Sequence, residues 1–148
     1  MTDIFAASIG INAAPTAVWD ALTMPAHMAH WMGEPEMQID VVTDWRVGAP
    51  IVVRGVHHVP FENTGTVLQF DQARLLCYTH RSSMSRLADV AESYSILTFS
   101  LTPQDERTKL ELTIRNFPTE SIQRHLEFYW RTTLTTLKEW VEGHFLCS

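Results

Sequence analysis

FPTESIQRHLEFYWRTTLTTLKEWVEGHFLCS, residues Phe117 to Ser148, reads as one long amphipathic helix, whereas nearly everything before it reads as sheet. Ile122, Leu126, Trp130, Leu134, Leu137 and Val141 recur at spacings of three and four, so they share one face, and Glu127, Arg131, Lys138 and Glu142 take the other. A helix from about Thr119 to His144 is ~39 Å long at ~1.5 Å per residue, enough to cross a small sheet and close it like a lid. The middle of the apolar stripe is unusual. Tyr129, Trp130 and Thr133 set two amphipathic rings beside a small hydroxyl, where packing alone favours Leu, Ile and Ala. That mixture points to the lining of a cavity.

Outward from this helix, the composition bounds the answer. A chain of 148 residues fits a single domain, residues 1–148, with length enough for a hydrophobic core. The 45% apolar and 19% charged residues describe a soluble globular protein, and no run approaches the ~20 apolar residues of a bilayer span. Asp3 stands where a secretory signal carries Lys or Arg. Cys77 and Cys147 do not make a disulfide framework, so a reducing, cytoplasmic setting is expected. A net charge of −6 with scattered basic residues argues against nucleic acid, whose phosphates demand Lys and Arg.

Residues Ile4 to Ile11 alternate, with Phe5, Ala7, Ile9 and Ile11 on one side, and predict a strand. Pro15 opens a short helix with Val18, Trp19 and Leu22 inward; Pro25 ends it and opens a second, with Met28 and Trp31 inward and Gly33 as its stop. Strand-like pieces follow: MQIDVV, APIVVRGVHHV, TGTVLQFD, ARLLCYTHR, ESYSILTFSLTP and TKLELTIRNF. Short polar connections between them predict hairpins. Ser82 to Asp89 is the least patterned stretch and reads as a mobile loop. The fold expected is α+β: a curved antiparallel sheet of about six to seven strands wrapped on the long last helix, with two short helices after the first strand.

Such a sheet leaves space where it curves away from the helix. Leu76, Tyr78 and His80 share a strand face; Val53, Leu97, Phe99, Leu112 and Ile114 extend an apolar floor; Trp31 stands at the mouth; Leu126, Tyr129, Trp130 and Thr133 come across from the helix. Apolar walls with a few convergent polar groups are the make-up of a small-molecule site, so a small hydrophobic or aromatic ligand is the expected partner. The alternative is a core filled by these same side chains. Trp45, in a turn-like segment, reads as an interface aromatic, and Trp140, beside Val141, either caps the core or contributes to the surface of a homodimer.

Other chemistry finds little support. His27 and His30 are three apart on a predicted helix, but adjacent His57 and His58 on a strand point to opposite faces, and neither cysteine stands at ligand spacing. No metal and no cofactor are expected. No G-x-S-x-G elbow or glycine-rich phosphate loop occurs. An acid–base pair drawn from Tyr78, His80, Tyr129 or Glu62 depends on convergence in space, so catalysis stays open with binding preferred.

The run INAAPTAVWDALTMPAHMAHWMG resembles the opening of the SRPBCC or START-like helix-grip superfamily, in particular homologues of the activator of heat-shock-protein ATPase. Ile11, Pro15, Val18, Trp19, Leu22, Pro25 and Trp31 fall on the family's first strand and helix pair, with one extra residue before Pro15. DWRVGAP, GTVLQFD, RLLCYTH, ILTFSLTP and TKLELTIRNF match further, and Trp130, Leu134, Leu137 and Val141 match its terminal helix. Nearly the whole chain is covered. Ala49-Pro50 replaces a frequent second glycine, Tyr78-Thr79-His80 replaces a Y-T-W strand end, and Val56 to Phe61 has no counterpart. The resemblance implies a helix-grip fold, START-like or Bet v 1-like, that shares a cavity and not a set of catalytic residues. It also implies two alternative roles: a co-chaperone-like interaction module for a heat-shock ATPase, or a cyclase- or aromatase-type enzyme.

Overall fold

Strand β1 (Ile4–Ile11) buries Phe5 and Ile11 and turns Ile4, Ala6 and Ser8 outward, following its alternation. The computed structural model describes residues 4–145, with side chains through Gly143; Cys147 lies outside the described residues. Helices α1 (Pro15–Thr23) and α2 (Pro25–Trp31) each begin with proline in the first turn, where its missing N–H costs nothing, and extended Met24 ends one and starts the other. β2 (Asp40–Val42), β3 (Pro50–His57), β4 (Val59–Asp71), β5 (Leu75–Ser82), β6 (Ser95–Gln104) and β7 (Arg107–Arg115) follow, then α3 (Glu120–Phe145). The strands form one seven-stranded sheet in the order β1-β7-β6-β5-β4-β3-β2, with every neighbouring pair antiparallel.

This is the helix-grip architecture the sequence predicts, with local differences. MQIDVV contributes only Asp40–Val42 to the sheet, because Pro35–Met37 forms a 3-10 turn and Gln38 reverses the chain at φ 51°. APIVVRGVHHV does not run through to Val59. His58 turns at φ 67°, so Val59 folds back opposite His57 and lengthens β4 to 13 residues. The Ser82 to Asp89 stretch contains a 3-10 turn, Ser83–Ser85, in which Met84 N–H donates to Ser82 Oγ at 3.1 Å, and Arg81 Nη1 donates to Leu87 O at 3.0 Å.

Two features bend the sheet. The β4–β5 register slips between Val67 and Gln69, a bulge that increases local twist. Three residues earlier, Gly65 brings β4 so close to β5 that a Cβ there would stand 1.7 Å from Thr79 O. The hollow face so formed carries Ile51, Val53, Val67, Leu76, Leu97, Phe99, Leu110, Leu112 and Ile114, and α3 meets it with Leu126, Trp130, Leu134, Leu137 and Val141, all buried. Each such side chain contributes about 1.5–3 kcal/mol on burial.

Thr119 caps α3, accepting the Ile122 N–H on its Oγ1 at 3.1 Å, and Glu120 in the first turn suits the positive end of the helix dipole. Farther along, α3 is fastened to β1. Lys138 Nζ donates to Gly10 O at 3.0 Å, Glu142 accepts the Asn12 N–H at 2.8 Å, and the Arg131 guanidinium lies 5.2 Å from the Phe5 ring centre.

Candidate functional site

The strand register sorts the candidate residues into rows across the hollow face. Tyr78 stands opposite Leu97 and Leu97 opposite Ile114; Leu76, Phe99 and Leu112 form the next row; His80 stands opposite Ser95 at the sheet's end. Trp130 reaches down from α3 onto the second row, its ring 5.4 Å from Phe99 edge-on and 6.1 Å from Trp31. Trp31 is pinned from behind, its Nε1 donating to Ala21 O at 2.8 Å. Leu126 is buried on the same helix face one turn before Trp130. Val53 is buried too, but on β3, two strands away from His80.

A different chemistry begins toward the β5 C-terminus. Tyr78 packs on Phe99 at 6.0 Å, and its hydroxyl proton is held far more tightly than normal, chiefly by burial and then by the nearby Tyr129. Tyr129 sits against Trp130 at 5.2 Å and donates its hydroxyl to Met32 O at 2.6 Å, tying α3 to the end of α2. Burial raises its pKa to about 12, partly offset by its hydrogen bond with the buried Thr133. His80 keeps an edge toward solvent, yet surrounding protein desolvates it, and with His125 nearby its pKa falls to about 4. At neutral pH these groups are therefore all uncharged. They make a hydrogen-bonding end to an otherwise apolar interior.

The structure thus brings Tyr78 near Tyr129, and Tyr129 to Thr133, with His80 two residues along β5 from Tyr78 on the same face and near His125, while Trp31, Phe99 and Trp130 pack ring against ring and Leu97, Leu112, Ile114 and Leu126 are buried. Several participants escaped the sequence reading. Trp45 is no exposed interface aromatic: it folds inward, donates Nε1 to Thr23 O at 2.5 Å, and lies 5.6 Å from Phe70 and 6.1 Å from Tyr78. Phe70 joins it because the bulge at Leu68 restores its side chain to the hollow face, where it also meets Trp19 at 5.1 Å. Strict alternation sends Phe70 outward with Leu68, so period-2 reading could not find it. His125 escaped as a polar residue on the helix. Trp140 is also engaged within the chain, stacked 4.6 Å from His30 and donating Nε1 to His27 Nδ1 at 3.3 Å.

Two open concavities lie elsewhere, outside the sheet–helix interior. One of about 340 Å³ is lined by Val42, Thr43, Asp44, Pro50 and Val52, and one of about 210 Å³ by Ala29, His30, Gly33, Glu34, Pro35, Gln38 and Ile39. Among the described residues, no three His, Cys, Asp or Glu side chains gather as metal ligands, and no helix is long and apolar enough to cross a membrane.

Comparison with known proteins agrees with this geometry. A search of curated proteins gives no match. Among solved structures, a solution structure from Cytophaga hutchinsonii is 34% identical, with TM-score 0.78 over 97% of each chain. A crystal structure from Chromobacterium violaceum superposes with TM-score 0.79 at 20% identity, covering 95% of this chain and 98% of its own. The Aha1 dimer from Colwellia psychrerythraea superposes with TM-score 0.74 at 20% identity over 94% of this chain and 96% of its own. Residues 12–142 match the family model described as activator of Hsp90 ATPase homolog 1-like protein. The chain belongs to that family.

Proposed function

We propose that this protein binds a small, uncharged, largely apolar or aromatic molecule between its sheet and α3, with the ligand's polar group directed to the His80 end. One observation supports the reading: Tyr78 and Tyr129 come near each other beside the aromatic packing of Phe99 and Trp130, with Thr133 bonded to Tyr129 and His80 on the Tyr78 face of β5, and burial keeps the two phenols protonated and the imidazole neutral. Neutral donors and acceptors closing an apolar chamber recognise a hydroxyl or carbonyl and reject a charge. Side chains fill the space between the sheet and α3, so a ligand takes its place there by displacing the Tyr129 ring and its bond to Met32 O. The free thiol of buried Cys77 suits a reducing, cytoplasmic setting.

A thermal-shift screen with neutral aromatic alcohols and ketones tests the reading. It expects the midpoint to rise with at least one neutral ligand and not with the matching carboxylate, and expects Tyr129→Phe to change which ligands act. No shift across the panel, or equal shifts from the carboxylates, overturns it.

The tight packing of Trp31, Phe99 and Trp130 favours a second reading, that of a co-chaperone-like module acting through its surface. Stimulation of a heat-shock ATPase by the purified chain, undiminished by Tyr129→Phe, would support this role over ligand binding.

A further inference from the structure

Residues 43–49 join β2 to β3 and carry two left-handed residues, Trp45 at φ 59° and Gly48 at φ 90°. Glycine takes that conformation at no steric cost, but for a bulky residue it is an outlier. Such strain persists only where surrounding contacts impose it, and it gathers at clamps and switches. Here the imposing contacts come from one side chain. Asp44, Arg46 and Val47 are exposed. The Trp45 and Arg46 N–H groups donate to Thr43 Oγ1 and Asp44 Oδ1, inside the segment itself. Gly48 and Ala49 pair with Val67 on β4 and so fix the far end. Among the described residues, a single hydrogen bond ties residues 43–47 to the rest of the molecule, from Trp45 Nε1 to Thr23 O.

We propose that residues 43–47 are a hinged flap with Trp45 as its latch: the flap swings on Val42 and Gly48, lifts the indole off Phe70 and Tyr78, and admits a ligand to the sheet–helix interior. The motion stands on its own, and its use as a door rests on the ligand-binding reading above.

The closed indole bridges three elements. It stacks on Phe70 of β4 at 5.6 Å, stands 6.1 Å from Tyr78 of β5, and is bonded to the last residue of α1. Lifting it uncovers the Tyr78 ring. Tyr129 lies near that ring too, so a molecule passing Trp45 arrives beside both phenols. Stacking and the Thr23 bond seat the flap, while the left-handed backbone of Trp45 opposes the seating. That opposition narrows the gap between closed and open states, which is what a gate requires.

Hydrogen exchange of the indole N–H groups, read by NMR and assigned through Trp45→Phe and Trp31→Phe, tests the motion. Trp31 is the reference, because its Nε1 also donates to a backbone carbonyl, Ala21 O, yet the residue is buried within the core. The Trp45 indole is expected to exchange about 100-fold faster than that of Trp31, without acceleration by low urea, as local opening demands. Entry is tested by stopped-flow fluorescence with N-phenylnaphthylamine, an uncharged aromatic probe. Trp45→Ala should speed uptake and release alike, about tenfold, and leave affinity within about threefold. A ring that merely lined the site would, when lost, speed release alone. Should Trp45→Ala fail to fold, Trp45→Phe replaces it, keeping a ring on Phe70 without the Thr23 bond, and both rates should rise about fivefold. Trp45 and Trp31 indoles that exchange together, only on global unfolding, overturn the flap. Uptake unchanged in the variant overturns the door. If the probe binds neither wild type nor variant, the door falls with the ligand reading, and the exchange rates still decide the flap.

Discussion

The middle of the grip and its His80 end both lie between the β5–β6 pair and α3, with α2 adding Trp31 to the first, yet they obey different rules. In the middle, Phe99, Trp31 and Trp130 lock edge and face against one another, and every ring is at least 97% buried. At the end, Tyr129 and His80 keep partial access to solvent, and Tyr129 is held by polar contacts, to Met32 O and to Thr133. The first region is specified by shape and is expensive to disturb. The second is held by hydrogen bonds, which contribute about 1 kcal/mol each. A fold that must stay intact while a ligand enters would put its stability in the first region and its adaptability in the second.

Breaking the middle should have the largest effect. Trp130→Ala is expected to cost about 3–5 kcal/mol by urea denaturation, because it leaves a cavity beneath Phe99 and Trp31. A loss below 1 kcal/mol would mean that the ring is not the keystone of the stack. The end should answer to pH. The folded pKa of His80, about 4, lies below the ordinary 6.5, so the folded chain binds this proton less readily than the unfolded one. Stability from this group is therefore full above about pH 6.5 and falls by about 2–3 kcal/mol as pH drops toward 4. His80→Gln should flatten that part of the pH profile, and an unchanged profile would assign the acid loss to other groups.

Gly65→Ala sharpens the comparison by attacking the bend that separates the two regions. With a methyl carbon directed at Thr79 O, about 1–3 kcal/mol should be lost, read from the thermal midpoint. Tyr129→Phe is expected to cost only about 1 kcal/mol for the abandoned Met32 carbonyl while changing ligand preference. The smallest effect belongs to a residue two positions before Trp130. Phe128 is 75% exposed, and Phe128→Ser should move stability by less than about 0.5 kcal/mol.

The contrast between Phe128 and Trp130 was legible in the sequence, because helical periodicity alone puts one outward and the other inward. The same holds for α1, α2 and the inward rows of β6 and β7, where alternation is unbroken. What could not be read depends on breaks in period. The bulge at Leu68 reverses the parity of Phe70, and one left-handed residue, His58, decides where β3 stops and β4 starts. Trp45 is placed by a bond to a carbonyl 22 residues earlier, which no local pattern announces. Of the candidate site, the sequence offers the residue types, but the pairing of Tyr129 with Met32 O arises from tertiary packing between residues 97 apart.

The fastening of α3 onto β1 has a consequence for how the molecule comes into being. The Lys138–Gly10 and Glu142–Asn12 bonds join residues 128 and 130 positions apart, and β1 finds its sheet partner only at Arg107–Arg115. Contacts so distant along the chain make folding slow, since the entropy of closing that loop is lost before any reward arrives. On the ribosome, β1 emerges well before β7 and waits, its apolar inner face uncovered and both its edges unpaired, until Arg107–Arg115 has been synthesised. That interval is when the nascent chain most needs shielding.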